Sequence, residues 1–154
     1  MPISSIYHNV PVIRQPKSQV CWFTCMQMVT RYCRMVGKSP RLVDPADDRV
    51  LAGLYQMNWV IPWVDSERHA KRVGYDTAAI SPNLDGLYKM LLQGPLIYGG
   101  KWNDTEGHWV VITGMSGDQL SVNDPAVGRL MPKWTDFLGG TLSQHADEPL
   151  YYAR

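Results

Sequence analysis

Residues 15–37 read QPKSQVCWFTCMQMVTRYCRMVG and contain the longest segment of the chain with a clear helical pattern. From Val20 to about Val36 there is neither Gly nor Pro, and apolar residues fall on most faces. This pattern predicts a central buried helix, and Gly37 is a typical residue to end it. Ser18 or Gln19 stands where the N-terminal cap belongs, so the cysteine at position 21 falls in the first turn.

Three further helices are predicted before residue 95, at roughly 46–58, 65–73 and 82–93. The last of them has Ser81 as its expected cap and Pro82 at its first helical position. The first 19 residues contain three prolines and are expected to be extended and turn-like. The N-terminal half of the chain is therefore predicted to be mainly helical.

The sequence changes character after the Gly-Pro pair at 94–95. Its later part contains the runs LIYGG, HWVVITG, LSVND and GRLMP, which are short, β-branched or aromatic, and broken by Gly, Asp or Pro. Such runs are typical of antiparallel strands, and a short helix near Trp134–Leu138 and a last strand at Leu150–Ala153 follow them. The predicted fold class is α+β, with a helical half packed on a small C-terminal antiparallel sheet, in a single domain spanning residues 1–154.

Composition and charge exclude several classes of function. The 154 residues carry 15 Lys and Arg against 14 Asp and Glu, a net charge of +1, so neither nucleic acid nor an anionic membrane is expected as a partner. The chain has no run of about 20 apolar residues and no signal-peptide core, which predicts a soluble protein without a general-export signal. The three cysteines form neither a disulfide framework nor a CxxC zinc pattern, so no metal or cofactor is expected.

Cys21 is the candidate nucleophile among these cysteines. A thiol in the first turn of a helix lies near the positive end of the helix dipole and near free N–H groups, both of which favour the reactive thiolate. Free cysteines are also among the most buried residues of proteins. Cys25 and Cys33 lie deeper in the predicted helix, where the dipole no longer helps, and are assigned to the core.

His108 is the candidate general base. It stands in EGHWVVITG, directly after a Gly and at the head of the most regular predicted strand. A histidine at that place can present its ring at the rim of a sheet. The other three histidines, His8, His69 and His145, lie in polar, turn-like or surface-helix contexts and are expected to be solvated.

Asp124 is the candidate residue to orient the histidine. If the hairpin has a three-residue loop, Met115 to Gly117, then His108 pairs with Asp124 and the two side chains share a face. A loop that differs by one residue would turn Asp124 to the other face and favour Asn123 instead. An Asp before a Pro is otherwise a common turn residue.

Gln15 is the candidate oxyanion residue. Acyl transfer needs hydrogen-bond donors for the negative oxygen that develops in its transition state. Gln15 lies six residues before Cys21, far enough for the chain to loop back beside the thiol. Its side-chain N–H and the backbone N–H of Cys21 are therefore predicted to form an oxyanion hole. Gln19 is the rival, although its position suits a helix cap better.

Four segments together resemble the papain-like cysteine proteases. They are QPKSQVCWFTCMQMV near the N-terminus, GP at 94–95, GHWVVITG at 107–114 and VNDP at 122–125. The likeness is to the compact bacterial branch, which includes bacteriocin-leader peptidases and cysteine-protease effectors of plant pathogens. That family has the order Gln, Cys, His and then Asp or Asn, and here Gln15, Cys21, His108, Asp124 and the Trp at position 22 match it.

The resemblance implies a papain-like fold and a thiol endopeptidase that acts on protein or peptide substrates through an acyl-enzyme. Cys21 would attack the carbonyl, His108 would carry the proton, Asp124 would orient the ring and Gln15 would stabilise the oxyanion. Six Trp and eight Tyr against two Phe indicate aromatic residues along a cleft. The candidates for the cleft are Trp22, Trp102 and Trp109, with Trp59 and Trp63 beside them, although aromatic residues at such spacings usually serve packing.

Two other functions fit the sequence. One is a peptidoglycan amidase or endopeptidase of related fold, and the other is an inactive papain-like module that binds a peptide in its groove. By analogy with the family, the lack of a general-export signal and of a pro-segment fits a bacterial effector or toxin delivered by a specialised secretion system, with an immunity or inhibitor protein as partner. A cytoplasmic processing peptidase is the alternative.

Overall fold

Helix α1, Cys21–Val36, is the central element of the fold. The computed structural model describes residues 5–59, 63–79, 83–101, 107–139 and 149–153. The helix begins one residue after the predicted start and ends where predicted, because Gly37 adopts the left-handed conformation with φ of 69°, which Gly tolerates without steric cost. Neither predicted cap is used, since Val20 is the N-cap residue and no side chain caps the first turn.

The remaining helices lie close to their predicted positions. They are α2 Arg49–Gln56, α3 Trp63–Arg72, α4 Leu84–Gln93 and α5 Trp134–Gly139. The helix predicted over 46–58 is divided into a short 3₁₀ helix, Pro45–Asp47, and α2. The division occurs because Asp48 is extended and its carboxylate accepts the N–H groups of Val50 and Leu51. None of the helices in the described part of the chain is long and apolar enough to cross a membrane.

Seven strands of the described residues form one antiparallel sheet in the order β2-β7-β3-β4-β5-β6, with β1 paired to β4. The strands are β1 Ser5–Tyr7, β2 Tyr75–Ala79, β3 Leu96–Lys101, β4 Gly107–Ser116, β5 Gln119–Asp124, β6 Gly128–Leu130 and β7 Pro149–Ala153. All five strands predicted after the Gly-Pro pair are present. The predicted α+β class is confirmed.

Strands β1 and β2 and the cap of α4 also differ from the prediction. Strand β1 lies in the segment predicted to be turn-like, and three residues are too few to show an alternating pattern. Strand β2 follows α3 directly and is paired on one side by β7, so its conformation depends on a distant partner. The cap of α4 is Asn83, whose side-chain oxygen accepts the N–H of Gly86 at 2.8 Å, whereas the predicted cap, Ser81, lies outside the described residues.

The hairpin between β4 and β5 has a shorter turn than predicted. Ser116 pairs with Gln119, which leaves a two-residue turn formed by Gly117 and Asp118. Gly117 has a φ of 60°, in the left-handed region that two-residue hairpin turns require. The predicted three-residue loop was therefore wrong. If the register at this turn continued along both strands, Asn123 rather than Asp124 would lie on the face of His108.

A β-bulge at Thr113 changes the register, so that Asp124 rather than Asn123 lies on the face of His108. Beyond the bulge the pairing shifts by one residue, so that Val111 pairs with Asn123. Because successive residues of a strand point to opposite faces, Asn123 shares the face of Val111, and Asp124 returns to the face of His108. The bulge thus decides which of the two candidate residues meets the histidine.

The bulged residue is held from both neighbouring segments. Thr113 donates its hydroxyl to the carbonyl of Ser121 at 3.1 Å and to the hydroxyl of the same residue at 2.9 Å. Its own carbonyl accepts the N–H of His8 at 2.8 Å, just after β1. The carbonyl that the bulge removes from the β4–β5 ladder is therefore satisfied by the N–H of His8.

The core lies on both faces of the sheet. One cluster joins α1 to the face that carries Ile97, Trp109 and Val111. The second joins α4 and α5 to the opposite face, which carries Val110 and Ile112. Consecutive residues of β4 belong to different clusters, as strand alternation requires. Helix α1 also contacts β4. Its first residue, Cys21, interacts with His108 near the start of that strand.

Candidate active site

Cys21 stands at the first position of α1 and is 7% exposed. The helix has no side-chain cap, so the N–H groups of its first turn are left without a side-chain acceptor and carry the partial positive charge of the helix end. The thiol also interacts with the ring of His108, whose pKa it raises. A helix N-terminus and an imidazole are the two neighbours typical of a nucleophilic cysteine.

His108 connects Cys21 with Asp124. Its Nε2 lies 2.7 Å from Oδ1 of Asp124, and both side chains are buried. Burial by itself lowers the pKa of His108, but the hydrogen bonds and negative charges of Asp124 and Cys21 outweigh it and raise that pKa to about 9. The ring is therefore an imidazolium at neutral pH.

Asp124 is held in place at the end of β5. Its Oδ1 also accepts the N–H of Ala126 at 2.8 Å. Burial raises the pKa of the Asp124 carboxyl, but His108 and the backbone donors more than compensate, so the pKa lies below its usual value. Asn123 is turned away, with its Nδ2 donating to the carbonyl of Val10 at 3.1 Å. Of the two residues that the sequence left open, Asp124 is the one that contacts the histidine.

Gln15 lies in the loop that leads into α1. Its backbone N–H donates to the carbonyl of Pro125 at 2.8 Å, which joins this loop to the turn after β5. Its side-chain Nε2 donates to the carbonyls of Lys17, at 2.8 Å, and Ser18, at 3.1 Å. Its Oε1 is buried and has no hydrogen-bond partner in the part of the chain that the structure describes. The oxyanion role of Gln15 stays a prediction, because a donation to substrate requires one of these two hydrogen bonds to be exchanged.

The other two thiols belong to the core. Cys25 and Cys33 are both buried, and none of the three cysteines forms a disulfide. Burial raises the pKa of the Cys25 thiol well above its usual value, and the nearby charges of Cys21 and Asp124 raise it further. Burial also raises the pKa of Cys33. Both groups are protonated thiols at neutral pH.

The aromatic candidates for the cleft are mostly packing residues. Trp22 is 1% exposed and donates its Nε1–H to the carbonyl of Trp59 at 3.1 Å. Trp109 is 4% exposed and stacks on Tyr151 with ring centroids 4.9 Å apart. Neither ring can form an open cleft wall, because each is covered by the core cluster around α1. Trp59 is 53% exposed, and Trp102 lies outside the described residues.

Two of the histidines expected to be solvated are buried. The ring of His8 makes hydrogen bonds with the hydroxyl of Tyr32 at 3.0 Å and the carbonyl of Leu91 at 2.6 Å. His69 is also buried, and His145 lies outside the described residues. The prediction was wrong for both, and for His8 the reason is that its partners come from distant segments, which a polar local sequence does not reveal.

The site and the fold together define a class of protein. A thiol beside an imidazole that is hydrogen-bonded to a carboxylate is the set of groups used by thiol hydrolases. A family model described as "Papain-like cysteine protease AvrRpt2" matches residues 4–135, which is most of the chain. The chain belongs to this family and is a papain-like cysteine peptidase.

Two solved structures share the fold. A double glycine motif protease from an AMS/PCAT transporter, crystallised in complex with the leader peptide, is 21% identical over 94% of this chain and 91% of its own, with a TM-score of 0.58. The peptidase domain of Streptococcus ComA, a bifunctional ABC transporter involved in a quorum sensing pathway, is 15% identical over 94% of this chain and 97% of its own, with a TM-score of 0.58. No curated protein matches the sequence significantly. The papain-like fold expected from the sequence is confirmed.

Proposed function

We propose that this chain is a cysteine endopeptidase whose catalytic residues are Cys21, His108 and Asp124. The observation that carries the proposal is the hydrogen bond between His108 and Asp124, beside the thiol of Cys21 at the positive end of α1. We further propose that residues 1–154 form one peptidase domain. Strands β1 and β7, from the two ends of the described chain, belong to the same sheet, which supports that proposal.

Acylation follows from the ionised Cys21–His108 pair. The thiolate sulfur of Cys21 attacks the carbonyl carbon of the scissile peptide bond, and the electron pair of the C=O double bond moves to the oxygen. The imidazolium of His108 gives its proton to the leaving nitrogen as the C–N bond breaks. An amine leaves, and the acyl group remains on Cys21 as a thioester.

Deacylation reverses the role of the histidine. Neutral His108 takes a proton from a water molecule, whose oxygen attacks the thioester carbonyl. The C–S bond then breaks, the acid product leaves and the thiolate–imidazolium pair is restored. Asp124 orients the ring throughout and stabilises its charged form, which is the part a carboxylate plays in such triads.

The oxyanion of each tetrahedral intermediate is proposed to bind the backbone N–H of Cys21 and the side-chain amide of Gln15. The uncapped start of α1 supports the first donor. For the second donor, an N–H of Gln15 has to exchange its bond to the carbonyl of Lys17 or Ser18 for one to substrate. The buried Oε1 of the same amide has no hydrogen-bond partner within the described residues.

The proposed substrates are proteins or peptides. The double glycine motif protease with the same fold was crystallised with its leader peptide, which supports the binding of an extended peptide at this type of site. Mass spectrometry of new N-termini in a proteome digest tests the proposal, with Cys25→Ala as the matched control. Wild type and Cys25→Ala are expected to produce the same cleavages, and Cys21→Ala none. Equal cleavage by Cys21→Ala would refute the assignment, and muropeptides released from cell walls without peptide cleavage would favour a peptidoglycan enzyme.

The proposed biological role is that of a bacterial effector or toxin, delivered by a specialised secretion system and neutralised in the producing cell by an immunity or inhibitor protein. The proposal is made by analogy with the cysteine-protease effectors of plant pathogens that the sequence resembles. Expression inside candidate target cells tests it, with Cys21→Ala as the control. Wild type is expected to be toxic unless the neutralising protein is co-expressed, whereas equal growth with wild type and Cys21→Ala would contradict the role.

A further inference from the structure

The loop before Cys21 is anchored to the C-terminal end of α2. The Nζ of Lys17 donates to the carbonyls of Tyr55, at 3.0 Å, and Gln56, at 3.3 Å, and it lies 4.4 Å above the centroid of the Tyr55 ring. The last carbonyls of a helix have no partners within the helix and carry partial negative charge. A lysine is therefore well suited to this place, and it joins the loop to α2.

Asn58 makes the second connection between α2 and the loop. Its Oδ1 accepts the backbone N–H of Gln19 at 2.9 Å, and its Nδ2 donates to the hydroxyl of Ser18 at 3.1 Å. Its own N–H donates to the carbonyl of Tyr55 at 3.0 Å. The φ of Asn58 is 51°, in the left-handed region that few residues other than Gly and Asn adopt. Asn58 therefore lies in the turn after α2, and from there its side chain contacts Ser18 and Gln19 in the loop before Cys21.

The anchored residues are the same ones that hold the amide of Gln15. That amide donates to the carbonyls of Lys17 and Ser18. Lys17 is bound by the end of α2, and Ser18 is bound by Asn58. A series of hydrogen bonds therefore runs from the end of α2, through the loop, to the amide of Gln15. The N–H of Cys21 follows the loop within two residues of Gln19.

We propose that Asn58 is a positioning residue of the peptidase reaction, which holds the 17–19 loop so that the Gln15 amide and the Cys21 N–H meet the oxyanion. The inference rests on the proposed function. Losing one oxyanion donor costs about 100- to 1,000-fold in kcat, and a misplacement of about 1 Å costs roughly 100-fold. Removing Asn58 loosens the loop while Lys17 still holds it, so a smaller loss of roughly tenfold in kcat is expected.

Asn58→Gly is the informative variant. Gly keeps the left-handed backbone at φ of 51° without strain and removes only the side chain. Asn58→Asp retains an oxygen for the N–H of Gln19 and is the conservative rescue. Ser39→Gly is the matched control, because Ser39 is also left-handed, with φ of 53°, but follows the opposite end of α1. Lys17→Met removes the other connection in case Asn58→Gly does not fold.

The assay measures kcat and KM on a peptide that wild type cleaves, together with the rate at which iodoacetamide alkylates Cys21. Alkylation requires the thiolate but forms no oxyanion. We expect Asn58→Gly to lose roughly tenfold in kcat, with KM and the alkylation rate within about twofold of wild type. Asn58→Asp should recover most of kcat, Ser39→Gly should match wild type, and Lys17→Met should lose kcat in the same way as Asn58→Gly.

Different results would refute the positioning role of Asn58 and the peptidase function of the chain. If Cys21→Ala is inactive while Asn58→Gly and Lys17→Met keep kcat within about twofold of wild type, the positioning role is wrong and the peptidase assignment stands. An equal loss of kcat and alkylation in Asn58→Gly also overturns the positioning role, because it shows general damage to the site. If Cys21→Ala still cleaves the peptide, the proposed function itself fails.

Discussion

The charge of His108 depends on Asp124, and the substitution Asp124→Asn tests that dependence. In wild type, Oδ1 of Asp124 lies 2.7 Å from Nε2 of His108. Asparagine has nearly the same shape and can keep an oxygen at that place. It removes the negative charge and leaves the ring buried. Burial lowers the pKa of His108, whereas Asp124 and Cys21 raise it. In Asp124→Asn only Cys21 still opposes the effect of burial. The imidazolium should therefore lose its proton at a lower pH.

The size of the effect follows from the pKa of about 9 for His108. The ordinary value for histidine is about 6.5, and one pH unit corresponds to about 1.4 kcal/mol. The site therefore favours the charged ring by roughly 3 kcal/mol after the opposing effect of burial is included. The hydrogen bond to Asp124 is the largest of the contributions that raise the pKa. We therefore expect its replacement to lower the pKa of His108 clearly.

NMR titration of ¹⁵N-labelled imidazole rings measures this pKa without a substrate. The His108 signal should titrate near pH 9 in wild type and at a clearly lower pH in Asp124→Asn. Asp118→Asn is the matched control, because it makes the same change in net charge at the exposed turn between β4 and β5 and should leave the titration unchanged. Equal midpoints in wild type and Asp124→Asn, or a wild-type midpoint near 6.5, would refute the account of this pair.

Two predictions concern stability. Because the pKa of His108 is raised from 6.5 to about 9 in the folded protein, its contribution to stability is complete below about pH 6.5 and is lost as the pH rises through 9. Urea unfolding of wild type should therefore show a loss of up to roughly 3 kcal/mol over that interval, and His108→Gln should not show it. Gly114→Ala should destabilise the protein by about 1–3 kcal/mol or more, because its methyl group would collide with the backbone carbonyl of Ile6. The control is Gly53→Ala, in α2, where the methyl group meets no atom within 4 Å; a similar loss in both variants would refute the explanation.

Local patterns were sufficient for the elements that carry their own signals. The length of α1 could be predicted because an uninterrupted apolar segment ends at a left-handed Gly37. Strands β3 to β7 could be predicted from β-branched runs between turn residues. Strand β1 could not, because its three residues acquire their conformation by pairing with the end of β4. Its place depends on the close approach that Gly114 allows.

The site shows the same division between local and distant causes. Cys21 and His108 could be proposed from their positions at the start of a helix and a strand. Asp124 was the right partner for His108, but the register that predicted it was wrong, because neither the short turn nor the bulge at Thr113 was foreseen. The bulge depends on contacts with two distant segments. Asn58 gave no local signal at all, since its contacts with the loop before α1 span about 40 residues.

The central claim is that His108 activates Cys21 as a nucleophile, and selective alkylation at pH 7 tests it most directly. Wild type and His108→Ala are treated with iodoacetamide, and mass spectrometry follows each cysteine, with glutathione as a reference thiol. We expect iodoacetamide to alkylate Cys21 faster than glutathione and far faster than the buried Cys25 and Cys33. In His108→Ala the alkylation of Cys21 should no longer be faster. If Cys21 reacts no faster than the other two cysteines, or if His108→Ala leaves its rate unchanged, the claim is wrong.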